Sequence, residues 1–321
     1  MPNSILKVEN LKKSFQTAGG LFQKKQYVNA VIDVSFEIEE GTTFSLVGES
    51  GCGKSTTGRL ITRLIAPTNG SIVVGGKEVA TAKQSELKNL RQTVQMIFQD
   101  PYASLNPRMK VKELVGEPLE IHSKLSKAER EKLVLEMLEV VGLNAEHADR
   151  YAHEFSGGQR QRLGIARALI TKPKLIIADE PVSALDVSIQ SQILNLLKQL
   201  QQEYKISYLF ISHDLSVVEH ISHNIGVMYL GSIVEIGRKE TIFNEPKHPY
   251  TQALIASVPI ADPTLRKKKI VLTGDIPNPK NPPSGCTFHT RCPLASDICK
   301  QAIPEMKKIN DEQSVACHFV N

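Results

Sequence analysis

Residues 154–169 read EFSGGQRQRLGIARAL. This is a helix with a glycine-rich start. Ser156 can cap it, and Gly157 and Gly158 let the backbone approach an anion closely. Gln159 adds neutral donors. A glycine-rich turn before a helix usually makes a phosphate site. No lysine follows in the position that would close the turn on a nucleotide. The stretch therefore reads as half of a site, the half that meets a γ-phosphate held by another element.

The complete phosphate site lies upstream. GESGCGKST, Gly48 to Thr56, fits G-x-x-x-x-G-K-[ST] at Gly48, Gly53, Lys54 and Ser55. It follows a short apolar run (TTFSLV) and opens a helix, the context this motif needs. Successive backbone N–H groups, from Gly48 through Ser50, Gly51, Cys52 and Gly53 to Thr56, can curl around phosphate oxygens. Lys54 would reach the β- and γ-phosphates, and the Ser55 hydroxyl would bind Mg²⁺. The ligand expected is ATP.

A P-loop needs a carboxylate at the end of another buried strand. KLIIADE supplies Asp179 for Mg²⁺, with Glu180 next to it to orient or deprotonate an attacking water. SYLFISHD ends the following apolar strand at His213, where a γ-phosphate contact is expected.

The rest of the chain fits an α/β protein. Residues 5–15 and 28–39 alternate apolar and polar positions and predict antiparallel strands, joined by a loop over residues 16–27. GSIVVGGKEV predicts a hairpin, and VQMIFQD a buried strand followed by a proline-interrupted loop, PYASLNPRM. Residues 123–143 predict a helix with Leu133, Met137, Val140 and Val141 on one face. SIQSQILNLLKQLQQEY predicts another helix, and IGVMYLGSIVEIG a return to strand. Prolines become frequent after Glu245, with DIPNPKNPPSG as the clearest linker. The expected division is a core over residues 1–245, with a helical subdomain over about 100–170, and a small tail domain over 246–321.

Bulk composition constrains function only loosely. The 321 residues are 41% hydrophobic and 23% charged, with a net charge of +5. That charge permits an anionic partner and demands none. No apolar run approaches the roughly 18 residues of a membrane span. The N-terminus MPNSILKVEN carries charge where a signal peptide needs an apolar stretch, so a cytosolic location is expected.

Taken in order, the motifs resemble those of the ATP-binding subunits of ABC transporters: P-loop (Gly48–Ser55), Q-loop (Gln99), SGGQ signature (Ser156–Gln159), Walker B (Leu175–Asp179) with Glu180, SALD D-loop (Ser183–Asp186) and switch His213. The resemblance covers about the first three quarters of the chain. It implies a P-loop NTPase core of ABC type, with an antiparallel β subdomain, a helical subdomain and a small cysteine-containing C-terminal domain. In that family two ATPase domains meet head to tail, and each P-loop is completed by the other's signature. Gln99 would touch Mg²⁺ or the attacking water, and Asp186 would join the composite site. An aromatic residue after the first strand stacks on adenine; Phe15 fits by position, with Tyr27 as its rival. Phe155 stands where the family signature usually starts with leucine.

FQDPYASLNPRM (Phe98–Met109), DEPVSALDVSIQ (Asp179–Gln190) and EPKHPYTQALIASVP (Glu245–Pro259) look more finely like the F-type subunit of the dipeptide/oligopeptide subgroup. That implies a second, related ATPase subunit, two membrane-spanning permease chains and, indirectly, an extracytoplasmic substrate-binding protein. The chain would sit on the cytoplasmic face of a prokaryotic cell membrane. The subgroup also contains nickel importers. A soluble ABC-type ATPase acting on nucleic acid or ribosomes is the rival class; such proteins usually carry a long coiled-coil insert or two ATPase domains, and neither is present here, so no nucleic-acid partner is expected.

Four of the five cysteines fall in the tail as C-x5-C-x6-C-x17-C: Cys286, Cys292, Cys299 and Cys317. Disulfides conflict with a reducing compartment, and zinc favours shorter C-x2–4-C knuckles. Four thiolates on proline-bounded loops can hold a four-iron–four-sulfur cluster, and importer ATPases resembling this chain can carry one in the same region. Free thiols and zinc remain the alternatives, with His289 and His318 near enough to substitute as ligands. The expected role is structural.

Overall fold

The computed structural model describes residues 3–17, 26–258, 272 and 274–320. The expected two-residue alternation produces β1 (Ser4–Thr17) and β2 (Gln26–Glu39), paired antiparallel. The centre of the loop expected over residues 16–27 lies outside the described residues. The hairpin also forms, as β4 (Asn69–Val74) and β5 (Lys77–Glu78), with β4 added to β1 after the parallel-sheet strand β3 (Thr43–Val47) has passed through the core. Ile5, Leu6, Val8, Val34, Ile38 and Ile72 are among the residues that bury the inner face of this antiparallel layer.

The continuous apolar runs form the parallel part of the sheet. β6 (Val94–Ile97), β7 (Leu175–Asp179) and β8 (Ser207–Ser212) lie side by side, and β3 pairs with β8 on its other edge. Every residue of β3, β7 and β8 is buried, as expected of strands covered on both faces. IGVMYLGSIVEIG does not run as one strand. It folds back as β9 (Asn224–Tyr229) and β10 (Ser232–Arg238), because Leu230 and Gly231 both take positive φ at the turn. β9 runs parallel to β3, and β10 joins β2 through a single bridge, linking the two layers.

The helical part is inserted between β6 and β7. Helices Val111–His122, Lys127–Val140 and Gly157–Leu169 pack together around Leu114, Val115, Leu138, Val141, Leu163 and Ala166. The helix expected over residues 123–143 starts later. Ser126 and Glu129 exchange hydrogen bonds as a capping box, which leaves residues 123–125 outside. Its most buried positions are Val134, Met137 and Leu138, so the face is turned slightly from the one expected. Sequence reasoning missed the helices Gln84–Thr93 and Val111–His122. Pro118 lies inside the second, and an internal proline argues locally against a helix; tertiary packing overrides it here.

The tail is tied to the core at several points. β11 (Lys307–Asn310) and β12 (Gln313–Val315) form a hairpin, and β12 pairs with β10. The fully buried Glu235 carboxylate accepts the Lys247 and His248 backbone N–H groups (2.8 and 2.9 Å) and the Gln313 amide (2.7 Å). Three donors satisfy a charge that would otherwise be costly to bury. Among the described residues no helix is long and apolar enough to cross a membrane.

Candidate active site

β3, β8, β7 and β6 are parallel neighbours, so the loops leaving their C-terminal ends gather along one edge of the sheet. Ligands in open α/β sheets bind at such an edge. The loop after β3 is the glycine-rich turn. Gly48 and Gly53 have φ of 148° and 107°. A Cβ at Gly48 would stand 2.1 Å from the Met228 carbonyl oxygen, and one at Gly53 2.3 Å from that of Ala30. Only glycine lets the turn press this closely on β9 and β2.

Helix Lys54–Ile61 then starts with no side-chain cap and no acidic residue in its first turn, which leaves its N-terminal dipole open to an anion. The buried Lys54 ammonium donates to the carbonyls of Gly48 (2.7 Å) and Glu49 (3.0 Å). Cys52 does not face outward. Its thiol is buried beneath the loop, 3.8 Å from Lys54 Nζ, and burial pushes it up while Lys54 pulls it down.

The Ser55 hydroxyl donates to Asp179 Oδ1 at 2.7 Å. Asp179 is buried, and burial raises its pKa against the lowering by Ser55. A hydroxyl and a carboxylate this close suit Mg²⁺, which takes one or two carboxylates and completes its shell with phosphate and water. Glu180 follows in a left-handed conformation, φ 47°, with its N–H donating to Ile211 O at 2.9 Å. Its carboxylate is bracketed: Gln99 Nε2 donates to Oε2 at 2.8 Å, and His213 Nδ1 lies 3.1 Å from Oε1. The structure thus brings Ser55, Gln99, Asp179, Glu180 and His213 together.

The signature turn is built as expected but sits elsewhere. Ser156 caps helix Gly157–Leu169, and Ser156 and Gln159 exchange hydrogen bonds of 3.3 and 3.0 Å. Gln159 Oε1 is therefore used in the cap. A Cβ at Gly158 would come 2.6 Å from Ile189. Phe155 is buried and meets His147 edge-on, away from the exposed Ser156. Among the described residues no hydrogen bond joins Ser156–Gln159 to Gly48–Thr56. Ser183, Ala184 and Asp186 are exposed beside the signature turn, and Val187 is 77% exposed.

The segment after β6 is not simply a loop. Asp100 caps a short helix, Pro101–Ser104, and Tyr102 lies under the Arg160 guanidinium of the signature helix at 3.8 Å. Arg167 of that helix donates to Ser104 O and to Glu117. Nothing in the sequence marks these links except the arginines themselves. Phe15 and Tyr27 are both exposed, on neighbouring strands with Phe15 opposite Val28; Lys13 stands 5.0 Å from the Phe15 ring.

Similarity to known proteins agrees with these features. A family model described as ABC transporter matches residues 31–183, and one described as oligopeptide/dipeptide transporter, C-terminal region, matches 234–299. The oligopeptide transport ATP-binding protein AppF of Bacillus subtilis is 52% identical over 320 residues, covering 98% of this chain and 97% of the relative. The chain belongs to the ABC transporter ATP-binding family. The dipeptide transport ATP-binding protein DppF of Escherichia coli is 50% identical over 317 residues, 99% of this chain and 95% of its own length. The dimeric structure of the ATP-binding cassette MJ0796 in a post-hydrolysis state, bound to ADP and Pi, superposes with a TM-score of 0.66 at 31% identity, covering 73% of this chain and 98% of that one. The fold is therefore an α/β ABC ATPase cassette extended by the C-terminal region of the oligopeptide/dipeptide group.

The four tail cysteines lie in one region but do not form a cage. Cys286 N–H donates to Cys299 O, and the other thiols add to the burial that pushes Cys286 and Cys292 up. Yet among the described residues no three His, Cys, Asp or Glu side chains are placed to hold a metal ion. The expected four-thiolate arrangement is not what this geometry shows. His289 and His318 each point a ring nitrogen at a backbone carbonyl, of Cys286 and Ala302, at 2.9 Å.

Proposed function

We propose that this cassette powers an importer of di- and oligopeptides, hydrolysing ATP in a head-to-tail dimer with a second ATP-binding subunit. The observation that carries the dimer is the split site. The P-loop, Asp179 and Glu180 share one sheet edge, while the signature turn belongs to the helical insert and, among the described residues, makes no hydrogen bond to them. The cargo rests on the C-terminal region match and on the peptide transport named for relatives about half identical over the whole chain.

The division of labour follows from the geometry. The curl of Gly48–Thr56 and Lys54 would hold the phosphates, and Ser55 and Asp179 the Mg²⁺. Mg²⁺ held there would supply neutralisation of phosphate charge. Glu180 would take the proton of the attacking water, held in place by Gln99 and His213. Ser156, Gly157, Gly158, Gln159 and Asp186 would face the partner's ATP. Phe15 would stack on adenine, with Tyr27 its alternative. The segment Gln99–Met109 would carry the shift to the permease, since Tyr102 and Ser104 touch the signature helix and Phe98, Tyr102 and Ile121 expose apolar surface nearby. The chain divides functionally into the cassette, residues 1–245, and a tail, 246–321. No step of the ATP chemistry passes through a metal in the tail. What supports a metal there is the gathering of four thiols in one small region.

The test is purification of the tagged chain from membranes. A second ATP-binding subunit and two permease chains should accompany it, with ATPase stimulated by peptide-loaded binding protein. Stimulation by nickel instead would reassign the cargo. A soluble chain stimulated by nucleic acid would overturn the reading.

A further inference from the structure

The tail reaches the nucleotide loop itself. Arg291, 242 residues from Glu49 in sequence, forms a two-pronged ion pair with it: one guanidinium nitrogen lies 2.8 Å from Glu49 Oε2 and the other 3.0 Å from Oε1. Glu49 is the residue directly after Gly48, and its carbonyl already accepts from Lys54. Its backbone N–H donates to the Tyr250 hydroxyl at 2.9 Å. Arg291 is nearly fully buried, and its guanidinium stands beside Tyr229, which Phe288 meets edge-on at 5.2 Å. A cavity of about 400 Å³ separates Glu49–Cys52 from Ile276–Pro279, so a second stretch of tail walls the same loop.

A free carboxylate at Glu49 would stand on the loop that cradles a multiply charged phosphate chain. Like charges in a partly buried site repel strongly. A planar guanidinium bound through both prongs cancels that charge and fixes its direction, which a lysine ammonium could not do equally well. We propose that Arg291 is a positioning residue for ATP: the C-terminal extension neutralises Glu49 and so sets the affinity of the P-loop. This rests on the reading of Gly48–Thr56 as the phosphate site.

The experiment measures the dissociation constant of a fluorescent ATP analogue with Mg²⁺ on the full chain, with circular dichroism and melting to confirm folding. Arg291→Gln should weaken binding roughly five- to tenfold, the effect of one uncompensated charge near the phosphates, and the loss should shrink in high salt. Arg291→Lys should fall between. Adding Glu49→Gln to Arg291→Gln should restore binding to within about twofold of the parent, because the offending charge is gone. A merely structural role for Arg291 would lower the melting temperature without a salt-dependent loss of affinity in the folded variant. Glu49→Gln alone, which keeps Arg291 in place, should bind ATP as tightly as the parent or more so, and it carries the test if Arg291→Gln does not fold. Parent-like binding by folded Arg291→Gln, no rescue in the double variant, or weaker binding by Glu49→Gln would each overturn the proposal. Lys54→Ala, run in parallel, should bind far more weakly; if it binds like the parent, the phosphate-site reading fails instead.

Discussion

Replacing Glu180 by glutamine separates shape from chemistry. The glutamine side chain has the same outline. Its amide oxygen can accept from Gln99 as Glu180 Oε2 does at 2.8 Å, and its NH₂ can donate to a neutral His213 Nδ1 across the present 3.1 Å. The N–H bond to Ile211 and the left-handed backbone are untouched. Each retained hydrogen bond is worth about 1 kcal/mol, so stability should change by less than about 0.5 kcal/mol. That corresponds to a melting shift of roughly 2 °C or less for a chain of this size. Glu180→Ala would instead remove the acceptor from both partners; Gln99 and His213 are exposed and water can replace it, so the loss should stay within about 1 kcal/mol. The amide cannot take a proton from water, and loss of a general base costs about 10²- to 10⁴-fold in rate, or roughly 3–5 kcal/mol in the barrier. The assay is single-turnover phosphate release beside ATP binding and thermal melting of the same preparation. Glu180→Gln should bind ATP, melt with the parent and persist as an ATP-bound dimer. A folded, ATP-bound variant that hydrolyses at a third or more of the parent rate would refute the base assignment. A melting drop of many degrees would refute the claim that shape alone holds the bracket.

Three further outcomes are expected. Tyr102→Ala removes a cation–π stack of about 0.5–2 kcal/mol on Arg160; it should lower peptide-stimulated ATPase more than basal ATPase, and equal loss of both would move this segment from coupling to catalysis or folding. His248 is buried and held neutral, its pKa lowered to about 4 by burial, and its Nδ1 accepts from Tyr250 N–H. The unfolded chain, with His near its ordinary 6.5, binds the proton first as pH falls, so stability is full above about 6.5 and is lost on the way to 4, by up to about 3 kcal/mol; urea melts of His248→Gln should show a flatter pH dependence in that window, and an unchanged slope would show that His248 is not the group responsible. The gathering of four thiols in the tail predicts that anaerobically purified chain is brown and holds about four irons; a colourless, iron-free sample, with one zinc or with no metal, would refute the cluster.

The parts of the site legible in the sequence are those whose chemistry is local. The glycine turn, the buried strand before it and the helix after it occupy one contiguous stretch, and DE after an apolar run is equally self-contained. His213 was legible from its position at a strand end and Gln99 only through the family resemblance, because only neighbouring parallel strands put such residues together. The local pattern failed where distant packing decided the outcome. Pro118 hides a helix that the insert's core stabilises, and the Leu230–Gly231 turn breaks what alternation alone reads as one strand. The Arg291–Glu49 pair left no sequence signal: an arginine amid threonine and cysteine gives no hint of a carboxylate far upstream. The cysteine spacing was legible as a pattern, but spacing does not fix side-chain convergence, and the thiols are neighbours without forming a cage.

The separation of the two phosphate-facing helix starts follows from chain order. Gln99, Glu180 and His213 close on one another because they leave β6, β7 and β8 at the same edge, next to the P-loop after β3. The signature turn lies within the chain that departs after β6 and returns only at β7, so it is carried away from that edge with the helical insert. There it is fixed on its own side by packing rather than by the nucleotide loop: Gly158 is pressed against Ile189, Phe155 is buried against His147, and Tyr102 and Ser104 brace the helix at Arg160 and Arg167. A turn held this firmly cannot swing across to its own P-loop without dismantling the core of the insert. Its exposed cap, beside exposed Asp186 and Val187, can still meet a phosphate brought by another cassette. The same bracing would let the segment after Gln99 move the signature helix as a unit. A change at Glu180, transmitted through Gln99, would then reach both the permease-facing surface and the partner's nucleotide.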